Sequence, residues 1–110
     1  MKPSWLPPRG TCVRRGEVWS YVPQGSPRQP LVVILSSDGI NQSTRPWLLG
    51  APITIEDPQD ILSVPIEDHG WISAASLSRF YRGWLHERVD ELDPPTLEQL
   101  AAALRAALDL

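Results

Sequence analysis

A chain of 110 residues with a net charge of −3 has room for one domain, with a core large enough to be stable but little surplus. It offers no global positive field to draw in nucleic acid, so such a partner would need a local cluster of the ten Lys/Arg residues. Cys12 alone makes no internal disulfide, His69 and His86 lie too far apart to read as a zinc site, and no run approaches the roughly 18 apolar residues of a membrane span. A reducing cytoplasm is the expected compartment, and nine of the ten cations are arginine. Arginine grips a phosphodiester through two parallel donors; the same bias is what a GC-rich genome produces.

Residues 1–12 carry Pro3, Pro7 and Pro8, which remove amide donors and fix φ, so an irregular N-terminal arm is expected there, followed by one domain over 13–110. Glu17 to Val22 sets Val18, Ser20 and Val22 against Trp19 and Tyr21, a strand by its β-branched and aromatic content. A Pro/Gly/Ser stretch from Pro23 to Pro27 reads as a hairpin loop into Leu31-Val32-Val33-Ile34-Leu35. That second run is apolar throughout, so it is expected to be buried on both faces, as the central strand of a closed or nearly closed barrel.

Ser37-Asp38-Gly39 is turn chemistry, and a polar loop runs on to Pro46. Residues 47–55 read as a third strand, 61–66 as a fourth, and 70–74 as the start of a fifth. The period then changes. Leu97, Leu100, Ala101, Leu104, Ala107 and Leu108 recur at three and four residues, with Asp93 as N-cap and Pro94 at the first helical position. Short strands followed by one terminal helix argue a compact, mainly antiparallel β domain with the helix across one side.

From Arg14 onward the order of motifs resembles the MazF/PemK (Kid) toxin family: "RRGEVW", "RQPLVVILSSDGIN", "LGAPIT", "GWISAASL" and a closing helix ending "LRAALDL". The resemblance implies an SH3-like barrel of antiparallel strands with a C-terminal α-helix (CcdB/PemK-like) that forms homodimers. It also implies the toxin component of a type II toxin–antitoxin pair: an endoribonuclease cutting single-stranded RNA and neutralised by a cognate antitoxin protein. The chemistry it implies uses no metal and no cofactor; the ribose 2′-hydroxyl attacks the adjacent phosphate and leaves a cyclic phosphate. Two alternatives keep the fold but not the reaction: a CcdB-like gyrase-binding toxin, and a catalytically degenerate barrel that only binds a partner.

Residue by residue, the family arginine before the second strand maps onto Arg28 and the threonine of "APIT" onto Thr54, the two implied catalytic residues. Ser36, Asp38 and Asn41 match polar positions of the family loop, and are equally what a turn there would use. With Arg79 and Arg82 they form the implied RNA-binding set. This chain departs from the family in placing Gln29 between the arginine and the proline, and in carrying Ser73-Ala74-Ala75-Ser76 where some relatives have "RCDQ". Ala75 cannot transfer a proton. His69 and His86 are each either an acid/base or an ordinary surface residue. The tryptophans could stack on splayed bases, but Trp19, Trp47 and Trp71 read as core or interface because they lie in strand-like runs.

Overall fold

The computed structural model describes residues 13–23 and 29–109, so the expected N-terminal arm and Arg28 lie outside the described residues. Seven strands and two helices follow in chain order: β1 (Glu17–Tyr21), β2 (Leu31–Ile34), α1 (Asp38–Asn41), β3 (Trp47–Pro52), β4 (Ser63–Ile66), β5 (Gly70–Ser73), β6 (Ser78–Tyr81), β7 (Leu85–Glu91) and α2 (Pro94–Leu108). The architecture is mainly β and antiparallel with a C-terminal helix. Five strands form one sheet in the order β6-β3-β2-β1-β7, and β4 and β5 form a separate hairpin.

The apolar β2 is the middle strand, as its composition requires. Val33 and Leu35 point into a core shared with Val18, Ala51, Val64, Ile72 and Leu100. Val32 and Ile34 enter a second core with Trp19, Tyr21, Leu48 and Phe80. A strand inserted between two cores has no place for a polar side chain, and β2 has none.

The sheet is not closed by a ladder: β6 and β7 are its two edges. They follow each other in sequence through a 3-10 turn at Arg82–Trp84 that runs from the start of β3 to the end of β1. The Arg82 amide donates to the Pro46 carbonyl at 2.7 Å, and the Val22 amide to the Trp84 carbonyl at 2.9 Å. Across this seam the Tyr81 amide donates to the Tyr21 hydroxyl at 2.9 Å, where a closed barrel would have a strand partner.

The run Arg14 to Glu17 builds the entry to β1. Gly16 takes φ +91°, a region open to glycine, while its amide donates to the Ile34 carbonyl at 2.7 Å. The buried Glu17 carboxylate accepts from the Arg14 amide at 2.7 Å, the Trp19 indole at 3.3 Å and the Arg88 guanidinium at 3.1 Å. These partners satisfy a charge that burial would otherwise make costly.

Three sequence expectations shift. The third strand leaves β2 at Pro52, because Thr54 turns away to pair with Trp71 of β5 and Ile55 is exposed. The fourth begins at Ser63; Ile61 is fully exposed in a turn where the Asp60 carboxylate accepts from the Leu62 amide at 2.7 Å. Trp47, expected in the core or at an interface, is 41% exposed at the start of β3 and so outside the core, whereas Trp19 is buried as expected. Helix α2 runs as expected, with the Asp93 carboxylate accepting from the Thr96 amide at 2.9 Å, and it packs on β4 through Leu100. Its last apolar residues, Ala107 and Leu108, are exposed.

Candidate functional site

At the Leu31 end of β2 lies an open cleft of 710 Å³, with Gln29, Thr54, Glu56, Asp68 and His69 as its polar lining. Two chain features bring these residues together. After β3 the Ile53 amide still donates to the Leu31 carbonyl at 2.9 Å, and Thr54 then exchanges amide–carbonyl bonds of 2.8 Å with Trp71. This bridge fastens the β4–β5 hairpin to the main sheet, so the hairpin turn (Glu67 to Gly70) overhangs Thr54.

That turn is built from strained backbone. Asp68 adopts φ +67° and Gly70 φ +135°. A Cβ at Gly70 would collide with the carbonyl oxygen of Thr54, so glycine alone permits the close approach on which the bridge depends. Gly70→Ala is expected to destabilise the domain by more than about 1 kcal/mol, since both the dihedral and the space are incompatible with a side chain. Urea unfolding monitored by tryptophan fluorescence measures it.

Thr54 is exposed, and its hydroxyl donates to the Glu56 carbonyl at 3.0 Å with the Trp71 carbonyl at 3.4 Å. To donate to a ligand it must rotate away from Glu56; to accept, it need not move. The described charge of the cleft is that of two carboxylates, Glu56 and Asp68, so an anionic ligand needs a cation from elsewhere. Gln29 lines the cleft and follows Arg28 in the chain. From the sequence His69, like His86, reads as a surface residue with acid/base chemistry as the alternative. Its Nε2 lies 2.9 Å from Oδ2 of Asp90 on β7, and its side chain is 16% exposed. The signal available beforehand was its place beside Asp68 and Gly70 in turn-forming sequence, which puts a histidine at a hairpin tip.

Ser36, Asp38, Asn41 and Arg82 gather at the opposite end of β2. Five residues of strand, about 16 Å, separate Leu31 from Ser36. Ser36 and Asn41 are buried, and the Ser36 hydroxyl donates to the side-chain Oδ1 of Asn41. The Asn41 amide donates back to the Ser36 carbonyl at 2.9 Å and to Asp38 Oδ1 at 3.2 Å. The Asp38 carboxyl is held below its ordinary value, first by the Arg15 amide at 2.8 Å and then by Asn41. Arg82 spends its fork on backbone: Nη1 to the Asn41 carbonyl at 2.6 Å, Nε to the Arg45 carbonyl at 3.0 Å and Nη2 to the Ile40 carbonyl at 3.3 Å. These four residues tie the β2–β3 connection to the seam of the sheet. Arg79 stands apart on β6, with its guanidinium 4.9 Å from the centre of the Trp47 ring.

No family model matches the chain, and no curated protein matches its sequence. Solved structures do match its fold. An endoribonuclease in complex with its cognate antitoxin, from a mycobacterial species, superposes with a TM-score of 0.77 at 20% identity, covering 91% of this chain and 96% of its own. A MazE–MazF complex from Deinococcus radiodurans gives a TM-score of 0.77 at 16% identity, covering 90% and 97%. The Mycobacterium tuberculosis toxin MazF-mt6 gives 0.73 at 18% identity, covering 86% and 97%. The chain therefore has the fold of these proteins over nearly its whole length.

Proposed function

We propose that the chain is a divergent MazF/PemK-type toxin: a cytoplasmic, homodimeric endoribonuclease that cuts single-stranded RNA and is neutralised by a cognate antitoxin. The observation that carries the reading is the cleft at the head of β2, where Thr54 of the "APIT" segment meets Gln29, the residue after Arg28. The shared fold of toxins and of one endoribonuclease bound to its antitoxin supports it. Among the described residues no helix is long and apolar enough to cross a membrane.

In this reading Arg28 binds two oxygens of the scissile phosphate and stabilises the charge that develops on it, and Thr54 adds one hydrogen bond. The exposed Trp47, Leu49 and Tyr81 along β3 and β6 support a second copy of the chain as an apolar partner. A monomeric mass by sedimentation at micromolar concentration would count against the dimer.

The deciding experiment incubates purified protein with a long RNA in EDTA and maps the new ends. Fragments ending in a cyclic phosphate and beginning with a 5′-hydroxyl are expected. Intact RNA would favour the gyrase-binding or binding-only alternatives. Thr54→Val, nearly isosteric and well suited to extended backbone, is expected to slow cleavage about tenfold or more, because a hydrogen bond to a charged group contributes about 1.5–3 kcal/mol. Single-turnover kinetics measure it, and an unchanged rate would assign Thr54 a packing role.

A further inference from the structure

We propose that His69 is the general base of this cleft, taking the proton from the ribose 2′-hydroxyl while Asp90 orients its ring. The assignment rests on the ribonuclease reading and adds to it the group that the Ser73-Ala74-Ala75-Ser76 run leaves unfilled. Neither alanine there can move a proton.

Position comes first. The strained turn at Asp68 and Gly70 carries His69 to the lip of the cleft that Thr54 also lines, and the Thr54–Trp71 bridge fixes one against the other. The ring is mostly buried, so its orientation is set by packing and by the 2.9 Å bond from Nε2 to Asp90. Asp90 belongs to the far edge strand of the main sheet, so this bond spans the gap between hairpin and sheet.

The pairing also sets the tautomer. The His69 hydrogen bond, followed by the Glu91 amide, holds the Asp90 carboxyl below its ordinary value, so it stays ionised and accepts. A neutral His69 then carries its proton on Nε2 and presents a lone pair at Nδ1. Nδ1 has no hydrogen-bond partner among the described residues. An acceptor oriented through its opposite nitrogen by a carboxylate is the arrangement that proton abstraction needs.

The charged groups around His69 are Asp90 on β7 and, in the cleft, Glu56 and Asp68. A general base must accept its proton at an atom left open to the substrate, and His69 offers Nδ1 for this while Asp90 holds its other nitrogen. His69 is therefore the base matched to the task among the residues lining the cleft. Nδ1 accepts the 2′ proton as O2′ bonds to phosphorus and the bond from phosphorus to O5′ breaks. The departing 5′ oxygen takes a proton from water, and His69 returns its own proton to the hydroxide so formed. The products are a 2′,3′-cyclic phosphate and a 5′-hydroxyl.

The test measures single-turnover cleavage of a long single-stranded RNA from pH 5 to 8 by the parent protein, His69→Ala, His69→Gln, Asp90→Asn and His86→Ala. Affinity for an all-2′-deoxy oligonucleotide, which lacks the attacking hydroxyl, is measured alongside. The parent rate is expected to fall toward the acid end of this range, where a protonated imidazole no longer accepts a proton. Both His69 variants should lose about 100-fold or more together with that acid limb, while keeping oligonucleotide affinity within about threefold. Asp90→Asn should slow cleavage by about tenfold or more at unchanged oligonucleotide affinity, because the ring loses the carboxylate that fixes its tautomer and orientation, and His86→Ala should match the parent. A His69→Ala rate within about threefold of the parent, with the limb intact, overturns the assignment but leaves the ribonuclease reading standing. If neither His69 variant folds, the parent profile decides, since a rate flat across this range also overturns it. A parent that cuts no RNA at any pH overturns both.

Discussion

Arg28→Ala is expected to lower RNA cleavage by about 100- to 1,000-fold while leaving the protein folded, the loss typical of removing one preorganised donor to a developing oxyanion. The electrostatics of the cleft account for a loss of this size. Its described charged side chains include Glu56 and Asp68, both of which repel a phosphodiester, and Thr54 offers only a neutral hydroxyl already engaged by the Glu56 carbonyl. Of the other sequence-derived cations, Arg82 is occupied by three backbone carbonyls and Arg79 lies over Trp47. Arg28→Lys should remain well below the parent rate, because lysine keeps the charge but loses the fork that spans two phosphate oxygens. Cleavage unchanged in both Arg28→Ala and Thr54→Val would move the site elsewhere, with Arg79, Arg82 and His86 the next residues to test.

Leu100→Ala is expected to cost about 2–5 kcal/mol of folding stability, the largest structural effect among these predictions. Leu100 is the fully buried residue of α2 in the core of Val18, Val33, Ala51 and Ile72, with Ala103 and Leu104 packed against the same core. Truncation removes apolar surface from that core and leaves a cavity between rigid strands that relax little. A domain of this size has a total stability of about 5–15 kcal/mol, so the variant should unfold at a much lower urea midpoint with a similar slope. Leu108→Ala on the same helix should change stability by less than about 0.5 kcal/mol, since Leu108 is 54% exposed. A midpoint for Leu100→Ala equal to that of Leu108→Ala would show that the helix does not stabilise the sheet.

Elements whose pattern is local are legible from their own residues. β2 is continuous apolar sequence and became the doubly buried centre of the sheet; α2 is announced by Asp93, Pro94 and its period of three to four. The strands β6 and β7 were not anticipated. They are edge strands, and β7, Leu-His-Glu-Arg-Val-Asp-Glu, is mostly exposed and pairs with β1 through irregular register, so no alternation marks it. Its identity as a strand comes from the partner β1, which the local sequence does not contain.

The site divides in the same way. The motif order singled out Thr54 and Arg28, and the structure sets Thr54 in the cleft beside Gln29, while Arg28 lies outside the described residues. The side chains of Ser36, Asp38 and Asn41 were legible as turn residues, and their mutual hydrogen bonds are local. Residues that meet across long separations are brought together by the packed fold: Arg82 with Asn41, and His69 with Asp90 beside Thr54. Such meetings depend on how sheet and hairpin are fastened together, here by the Thr54–Trp71 bridge and the glycine that lets it form. A histidine in turn-forming sequence is chemically the same whether it faces solvent or a carboxylate; the backbone pairing that brings Asp90 to it is what makes it a candidate base.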